Sequence, residues 1–324
     1  VAIKRIIFNL TAGVIAGLAA TICLANGLQA APGQAPGENR DKAKQVGFYI
    51  LHFPARGKIG RVGAAEAGAD YSEKHIPTKR FAEANGTVRL AKGTGICFEA
   101  TDFMGLEKPI EIICTLPAEA VTSITLSNNI FAENEITKLL RFTGLRRLEL
   151  EGTEVSDETI AKLAPLQHLE SLIVDRTRIH GQFLTTLPGK KSIRNLNLKE
   201  LKKFPNLQRL SLNSTHLHDS DIAAIAACSQ LRYLDISDNN DLTNVGIAQL
   251  KTLKKLDYLQ LPFTAANAKG LLALKGMALT KLRIEPKQAS KQDIIALRKA
   301  FPQIQIDIEN MKKELFNDYK AAFQ

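Results

Sequence analysis

The stretch Leu207-Gln-Arg-Leu210-Ser-Leu212-Asn-Ser-Thr215 and its counterpart one unit later, Leu231-Arg-Tyr-Leu234-Asp-Ile236-Ser-Asp-Asn239, decide the fold. The same nine-residue phrase occurs at Leu145–Thr153 and at Leu169–Thr177, and looser copies start at Val121, Leu256, Leu279 and Phe301. A partial copy starts at Ile193. Successive units are 24, 24, 24, 14, 24, 25, 23 and 22 residues apart. A repeat at this period signals a solenoid of stacked supersecondary units. Composition agrees: 33 of 42 leucines lie between Val121 and Ala300, so the larger part of the 324 residues is built on one unit.

Each unit reads as a short strand followed by a helix. Within the phrase the apolar residues alternate with period 2, which places both on one face of a strand. After Thr153 the spacing widens to Ile160, Leu163 and Leu166, which is helical. Ser156-Asp157-Glu158 and Asp219-Ser220-Asp221 are expected to cap and charge the first turns of two such helices. A unit of this size cannot bury its apolar face alone, but stacked neighbours can, at ~1.5–3 kcal/mol per inward Leu or Ile. The ninth position (Asn129, Thr153, Thr177, Thr215, Asn239, Thr264) is expected to form a ladder of side chains that satisfies backbone groups where each strand turns away. In the unit at Ile193, a strand through Leu196 and Leu198 is followed by too few residues for a helix, so the helical side should be thin there.

The pattern LxxLxLxxT/N resembles the leucine-rich-repeat family over about Val121 to Ile308. The run Thr215–Leu231, with Cys228 near its end, is similar to the cysteine-containing subclass, and Cys228 reads as a small buried hydrophobe. The segment from Phe53-Pro54 to Thr87-Val88 also resembles the β segment that precedes the repeats in some secreted bacterial members. The resemblance implies an α/β right-handed solenoid, with a concave parallel sheet, convex helices and a small β-rich cap in front. It further implies a non-enzymatic protein that binds a partner on the concave sheet.

Residues 1–30 read as an export signal: Lys4 and Arg5, an apolar run Ile6–Leu24, then small residues up to Ala30. A retained anchor is the alternative, because such a run can span a bilayer. No later segment is long and apolar enough to do so. Val1 is what a GTG start codon looks like when read literally, a bacterial feature. Residues 31–46, rich in Pro, Gly and charge, read as a linker. Residues 47–120 read as the β-rich cap, with strands at Gly47–Phe53, Gly86–Leu90, Gly95–Ala100 and Ile110–Leu116. An independent small β domain is the alternative. Residues 121–308 are the repeats, and 309–324 a terminal helix with Met311, Leu315, Tyr319 and Phe323 on one stripe.

Charge narrows the partner. The chain carries 43 basic and 33 acidic residues, a formal +10. Removal of residues 1–30 leaves 41 basic residues against 33, which is mild for this length and argues against nucleic-acid binding. Lys190, Lys191, Arg194, Lys199, Lys202 and Lys203 cluster around the short unit and would suit an anionic polysaccharide or acidic protein. Cys97 and Cys114 lie in strand-like runs, so they either pair or remain two buried thiols; a pair would add roughly 3 kcal/mol.

No catalytic motif is present, and no cofactor is expected. His216 and His218 are placed in a turn facing solvent, so no metal is assigned to them. Asp235–Asp241 lacks the Gly and Glu of a calcium loop. The informative surface is therefore the outward row of the concave sheet. Its third positions are Ser123, Arg147, Ser171, Asn195, Arg209, Tyr233, Tyr258 and Lys281; its fifth include Glu149, Asp235, Gln260 and Arg283. With strands ~4.8 Å apart, Arg209, Tyr233 and Tyr258 should make one stripe. Arg and Tyr are enriched at interface hot spots. The candidate ligand-binding residues are Arg147, Glu149, Arg209, Tyr233, Asp235, Tyr258 and Gln260. The functional expectation is an exported binding protein acting on a protein partner or a cell-envelope polymer. The alternative is a structural component of the envelope or cell surface, docked by the basic patch or the terminal helix.

Overall fold

The computed structural model describes residues 47–308, apart from 56–58, 77, 102–108, 132, 154, 156 and 178–197. The expected signal, linker and terminal helix lie outside the described residues. So do Lys190, Lys191 and Arg194 of the basic cluster.

Five strands come first: β1 (Phe48–His52), β2 (Gly60–Ala65), β3 (Thr78–Glu83), β4 (Thr87–Ala91) and β5 (Ile96–Ala100). A short helix, α1 (Pro109–Ile113), follows. The repeats then supply β6 (Val121–Thr125), β7 (Arg147–Glu149), β8 (Ser171–Ile173), β9 (Arg209–Ser211), β10 (Tyr233–Asp235), β11 (Tyr258–Gln260), β12 (Lys281–Ile284) and β13 (Gln305–Ile308). One sheet of 11 strands runs in the order β13-β12-β11-β10-β9-β8-β7-β6-β5-β2-β3. From β13 to β5 every pairing is parallel, and β5–β2 and β2–β3 are antiparallel. The strands β1 and β4 form a separate antiparallel pair. The architecture is the expected leucine-rich-repeat solenoid, with a small antiparallel sheet at its amino-terminal end.

Register follows the repeat. Leu148, Leu172, Leu210, Leu234, Leu259 and Leu282 are successive partners across the sheet, and all are buried. Each contributes about 1.5–3 kcal/mol of apolar burial. The convex layer runs from a 3-10 helix (Glu133–Arg141) through α2 (Asp157–Lys162), a 3-10 helix (Leu198–Lys203), α3 (Ile222–Ala226), α4 (Asn244–Gln249) and α5 (Ala268–Leu272) to α6 (Lys291–Ala300), each packed on the next.

The turn out of each strand repeats in detail. The eighth position is left-handed in six units: Asn128, Gly152, Arg176, Ser214, Asp238 and Phe263, with φ of 57, 65, 50, 54, 53 and 57°. The ninth position is the expected ladder. Thr153, Thr177, Thr215 and Thr264 donate to the carbonyl three residues back, at 2.6, 2.7, 2.7 and 3.0 Å.

Four expectations are corrected. First, Ile110–Leu116 is not a strand: Ile110, Ile113 and Leu116 are buried at a spacing of three, which suits the helical turn α1 forms. Second, β2 and β3 have no alternating apolar pattern to announce them; β2 is Gly-Arg-Val-Gly-Ala-Ala. Third, β8 pairs directly with β9, so the strand expected at the Ile193 copy does not stand between them in the sheet; residues 193–197 lie outside the described residues. Leu198–Lys203 forms a 3-10 helix ahead of β9, where too few residues for a helix were expected, and Leu201 and Phe204 are buried. Ser171 and Arg209 are direct partners in the third row, where Asn195 was expected between them; Asn195 and its neighbour Asn197 lie outside the described residues. Fourth, Asp221 occupies the cap position of α3 without a side-chain cap bond. Instead, Asp219 accepts from Thr243 N (2.8 Å) and Thr243 Oγ1 (2.5 Å) of the next unit. The side-chain caps are Thr243, Asn267 and Ser290.

Candidate functional site

The concave face carries the predicted rows in register. Ser123, Arg147, Ser171, Arg209, Tyr233, Tyr258 and Lys281 are consecutive partners in the third row. Glu149 pairs with Ile173, and Asp235 with Gln260, in the fifth. All of these but Ser171, which is fully buried, floor a cleft of about 730 Å³.

The amino-terminal half of this floor is covered. The connection from β2 to β3 crosses it, and two arginines hold the crossing segment by its main chain. Arg147 Nη1 donates to the carbonyls of Glu73 (2.6 Å) and Tyr71 (3.3 Å), and its Nη2 to Lys74 O (3.1 Å). Arg147 Nε donates to Glu149 Oε1 at 2.6 Å. Arg209 Nη1 donates to Ser72 O at 3.1 Å. Arg147 is only 5% exposed and Arg209 7%. Tyr71 is buried with Ala65 and Cys97, and its hydroxyl donates to Thr122 Oγ1 at 2.7 Å. The third row runs as read from sequence except that Arg209 follows Ser171 directly, without Asn195 between them, and Arg147 and Arg209 are engaged within the chain. The crossing segment was not anticipated; its one local signal is Asp70-x-Ser72, where Asp70 Oδ1 accepts from Ser72 N and Oγ at 2.8 and 2.6 Å.

The carboxy-terminal half is reached from the cleft. The Arg209 guanidinium lies over the Tyr233 ring, 3.4 Å from its centre. Tyr233 and Tyr258 meet edge to face at 5.1 Å, and Lys281 Nζ stands 5.9 Å from the Tyr258 ring. The expected stripe Arg209–Tyr233–Tyr258 is thus continuous. Gln260 Nε2 donates to the Tyr233 hydroxyl. Arg283 reaches Gln260 Oε1 at 3.5 Å and Asp307 Oδ2 at 3.4 Å.

Burial sets the electrostatics. It pushes the Tyr233 hydroxyl well above the usual range, and it raises Asp235 although Ser237 N and Oγ donate to that carboxylate at 2.9 and 2.5 Å. It raises Asp175 to about 6 against the bonds from Ser211 and Asn213. It lowers Arg209. A guanidinium keeps its charge regardless, so Arg209 is a desolvated cation.

No family model and no curated protein matches the chain. Solved structures do. The chain is similar to internalin C2 from Listeria monocytogenes, at 20% identity over 65% of this chain and 80% of that one, with a TM-score of 0.41. It is similar to a second internalin of that organism, inlF, at 16% identity over 58% of this chain and 60% of that one, with a TM-score of 0.38. It is also similar to TLR13, solved as a TLR13–ssRNA13 complex, at 20% identity over 58% of this chain and 25% of that one, with a TM-score of 0.42. At these identities the likeness is one of fold alone.

The cysteines are not paired. Cys97 is a free thiol in the third row of the concave face, partner of Ser123, and burial pushes it up to about 11. Cys114 is also free; it follows α1 on the convex side and donates to Lys138 O at 3.7 Å. The sheet separates them, because α1 turns the chain to the other face. Cys228 is buried among apolar neighbours and pushed up to about 12. Among the described residues, no group of three or more His, Cys, Asp and Glu side chains is placed to hold a metal ion, and no helix is long and apolar enough to cross a membrane.

Proposed function

We propose that this chain is a non-enzymatic binding module, acting after export, that takes a protein partner or a cell-envelope polymer on the concave sheet. The observation that carries this reading is the open half of the cleft. There, partly exposed Tyr258 and Arg283 and exposed Lys281 stand side by side on a floor of hydrogen-bonded strands. Aromatic and basic groups held rigidly on strands contribute contact area at little entropic cost. The fold class is one commonly used for protein interaction, and the export reading rests on residues 1–30.

The test is affinity capture from the envelope and medium of the source cell, using the whole chain. A specific partner should be lost, with at least ~10-fold weaker binding, when Tyr258→Ala is combined with Lys281→Ala. Val245→Ser, on the exposed convex side, should leave it bound. Retention of every partner by the double variant refutes the concave reading.

A further inference from the structure

Two donors in the covered half of the cleft have no acceptor. Ser171 is 0% exposed, and its hydroxyl is without a hydrogen-bond partner. Arg209 is 7% exposed, and its Nε is likewise unpartnered. The two residues are direct partners across β8 and β9, on the face that carries Arg147 one strand further on. Buried polar groups are nearly always satisfied, so two orphans side by side call for an explanation. Both are donors on the concave side of the sheet; Arg209 lines the cleft, whereas Ser171 is fully buried beside it and becomes reachable only when the covering segment moves.

The present occupant satisfies this row only in part. The segment Asp70–Lys74 gives Arg209 one neutral carbonyl, and Arg147 three. All four are main-chain acceptors, so the row recognises an extended backbone rather than particular side chains. The segment is anchored at Tyr71, which is buried and donates to Thr122 Oγ1 at 2.7 Å, and is held lightly beyond Ser72. Glu73, Lys74 and His75 are exposed, and the ion pair from Asp70 to Arg232 spans 3.9 Å between half-exposed groups. Arg209 forms no ion pair among the described residues: Glu149 is taken by Arg147 at 2.6 Å, and Asp235 is turned to Ser237. A buried guanidinium with a ring on one side, one carbonyl and a spare Nε–H is matched by a carboxylate, which takes Nε and Nη together in charge-assisted bonds.

We propose that the row Arg147–Ser171–Arg209 is a seat for an extended peptide of a partner protein bearing one acidic side chain, and that Asp70–Lys74 is its resident competitor. The partner's main chain takes the Arg147 donors. Its carboxylate takes Arg209 and the Ser171 hydroxyl, the two groups that the resident segment leaves wanting. Asp235, a fixed negative neighbour, limits the seat to a single carboxylate. This deepens the concave-face reading above and rests on it.

The probe is the C-terminally amidated, tetramethylrhodamine-labelled peptide Gly-Asn-Tyr-Glu-Gly-Gly-Ser, whose one acidic side chain is the glutamate, compared with the same peptide carrying glutamine in its place, with anisotropy measured on the full chain. The glutamate peptide should bind at least ~10-fold tighter than the glutamine peptide. Asp70→Ala, which removes the turn onto Ser72 and the contact to Arg232, should tighten binding several-fold by loosening the competitor. Arg209→Lys should abolish the preference for glutamate, since an ammonium lacks the planar fork. Ser171→Ala removes an unsatisfied buried hydroxyl, so it should leave the melting temperature unchanged or raised while weakening the glutamate peptide several-fold. Equal binding of the two peptides, absence of binding even to the Asp70→Ala chain, or an undiminished preference in Arg209→Lys overturns the proposal. If a captured partner still depends on Tyr258 and Lys281 but ignores Arg209 and Ser171, only this inference falls; if it ignores all four, the concave reading falls with it.

Discussion

Replacing Asn239 with alanine should cost this solenoid more than losing any ladder threonine. Asn239 Oδ1 accepts from Thr215 N at 3.1 Å and Leu217 N at 2.8 Å. Its Nδ2 donates to the carbonyls of Leu212, Ile236 and Ser237 at 2.9, 3.0 and 3.0 Å. Asn239, Thr215 and Leu217 are each 0% exposed, so water does not reach these groups. Two of the carbonyls keep a second donor: Leu212 O has Thr215 Oγ1, and Ser237 O has Ser214 N. The loss therefore falls mainly on two buried amides. At roughly 1–3 kcal/mol for each unsatisfied group, Asn239→Ala should cost ~4 kcal/mol. Thr215→Val removes one donor from a carbonyl that Asn239 still serves, and should cost ~1 kcal/mol. Urea unfolding followed by circular dichroism gives both losses. Amide exchange at Thr215 and Leu217 shows whether the damage is local, which matters because stacked repeats can open piecemeal. An Asn239→Ala loss no larger than that of Thr215→Val, or unchanged protection at both amides, refutes the reasoning.

Two further outcomes follow from the same structure. In Gly246→Ala the new methyl would sit 2.3 Å from Asp219 Oδ1 and 3.1 Å from Asp219 Cα, displacing the carboxylate that holds Thr243 at the start of α4; a loss of ~2 kcal/mol is expected in the same unfolding assay. Asp175 is held at about 6 against an ordinary 3.8, so the folded chain binds the extra proton between those values. That contribution to stability is present at low pH and is lost as pH rises through 6. The full shift would be worth up to ~3 kcal/mol, and partial exposure reduces it to ~1–2. Asp175→Asn keeps the acceptor for Asn213 N (2.9 Å) and should flatten this part of the stability–pH profile, which thermal melts between pH 4 and 7 would show. A profile unchanged by the substitution would rule the titration out.

Legibility followed the range of the interactions. The strand rows, the leucine ladder and the ninth-position ladder were readable because each is set by spacing within one unit and repeated in the next. The conversion of Ile110–Leu116 to a helix was partly readable, since Ile110, Ile113 and Leu116 already carry a spacing of three. The antiparallel strands β2 and β3 were not, because their small and charged residues owe their strand state to neighbours rather than to pattern. The Ile193 copy misled for the opposite reason. Its Leu196 and Leu198 match the phrase, yet β8 pairs directly with β9 and no strand stands between them.

The sequence by itself determined the solenoid, its register and the order of side chains along the concave rows, because an inward leucine every other residue admits one stacking. It also named Arg209, Tyr233 and Tyr258 as one stripe and Arg147 as a member of the same row. Only the tertiary structure decided which of them a ligand meets. Arg147 donates to Tyr71, 76 residues before it, and Arg209 to Ser72, 137 residues before it. Those contacts are made to main-chain carbonyls, which every residue carries, and so they leave no mark in the sequence of the segment that makes them.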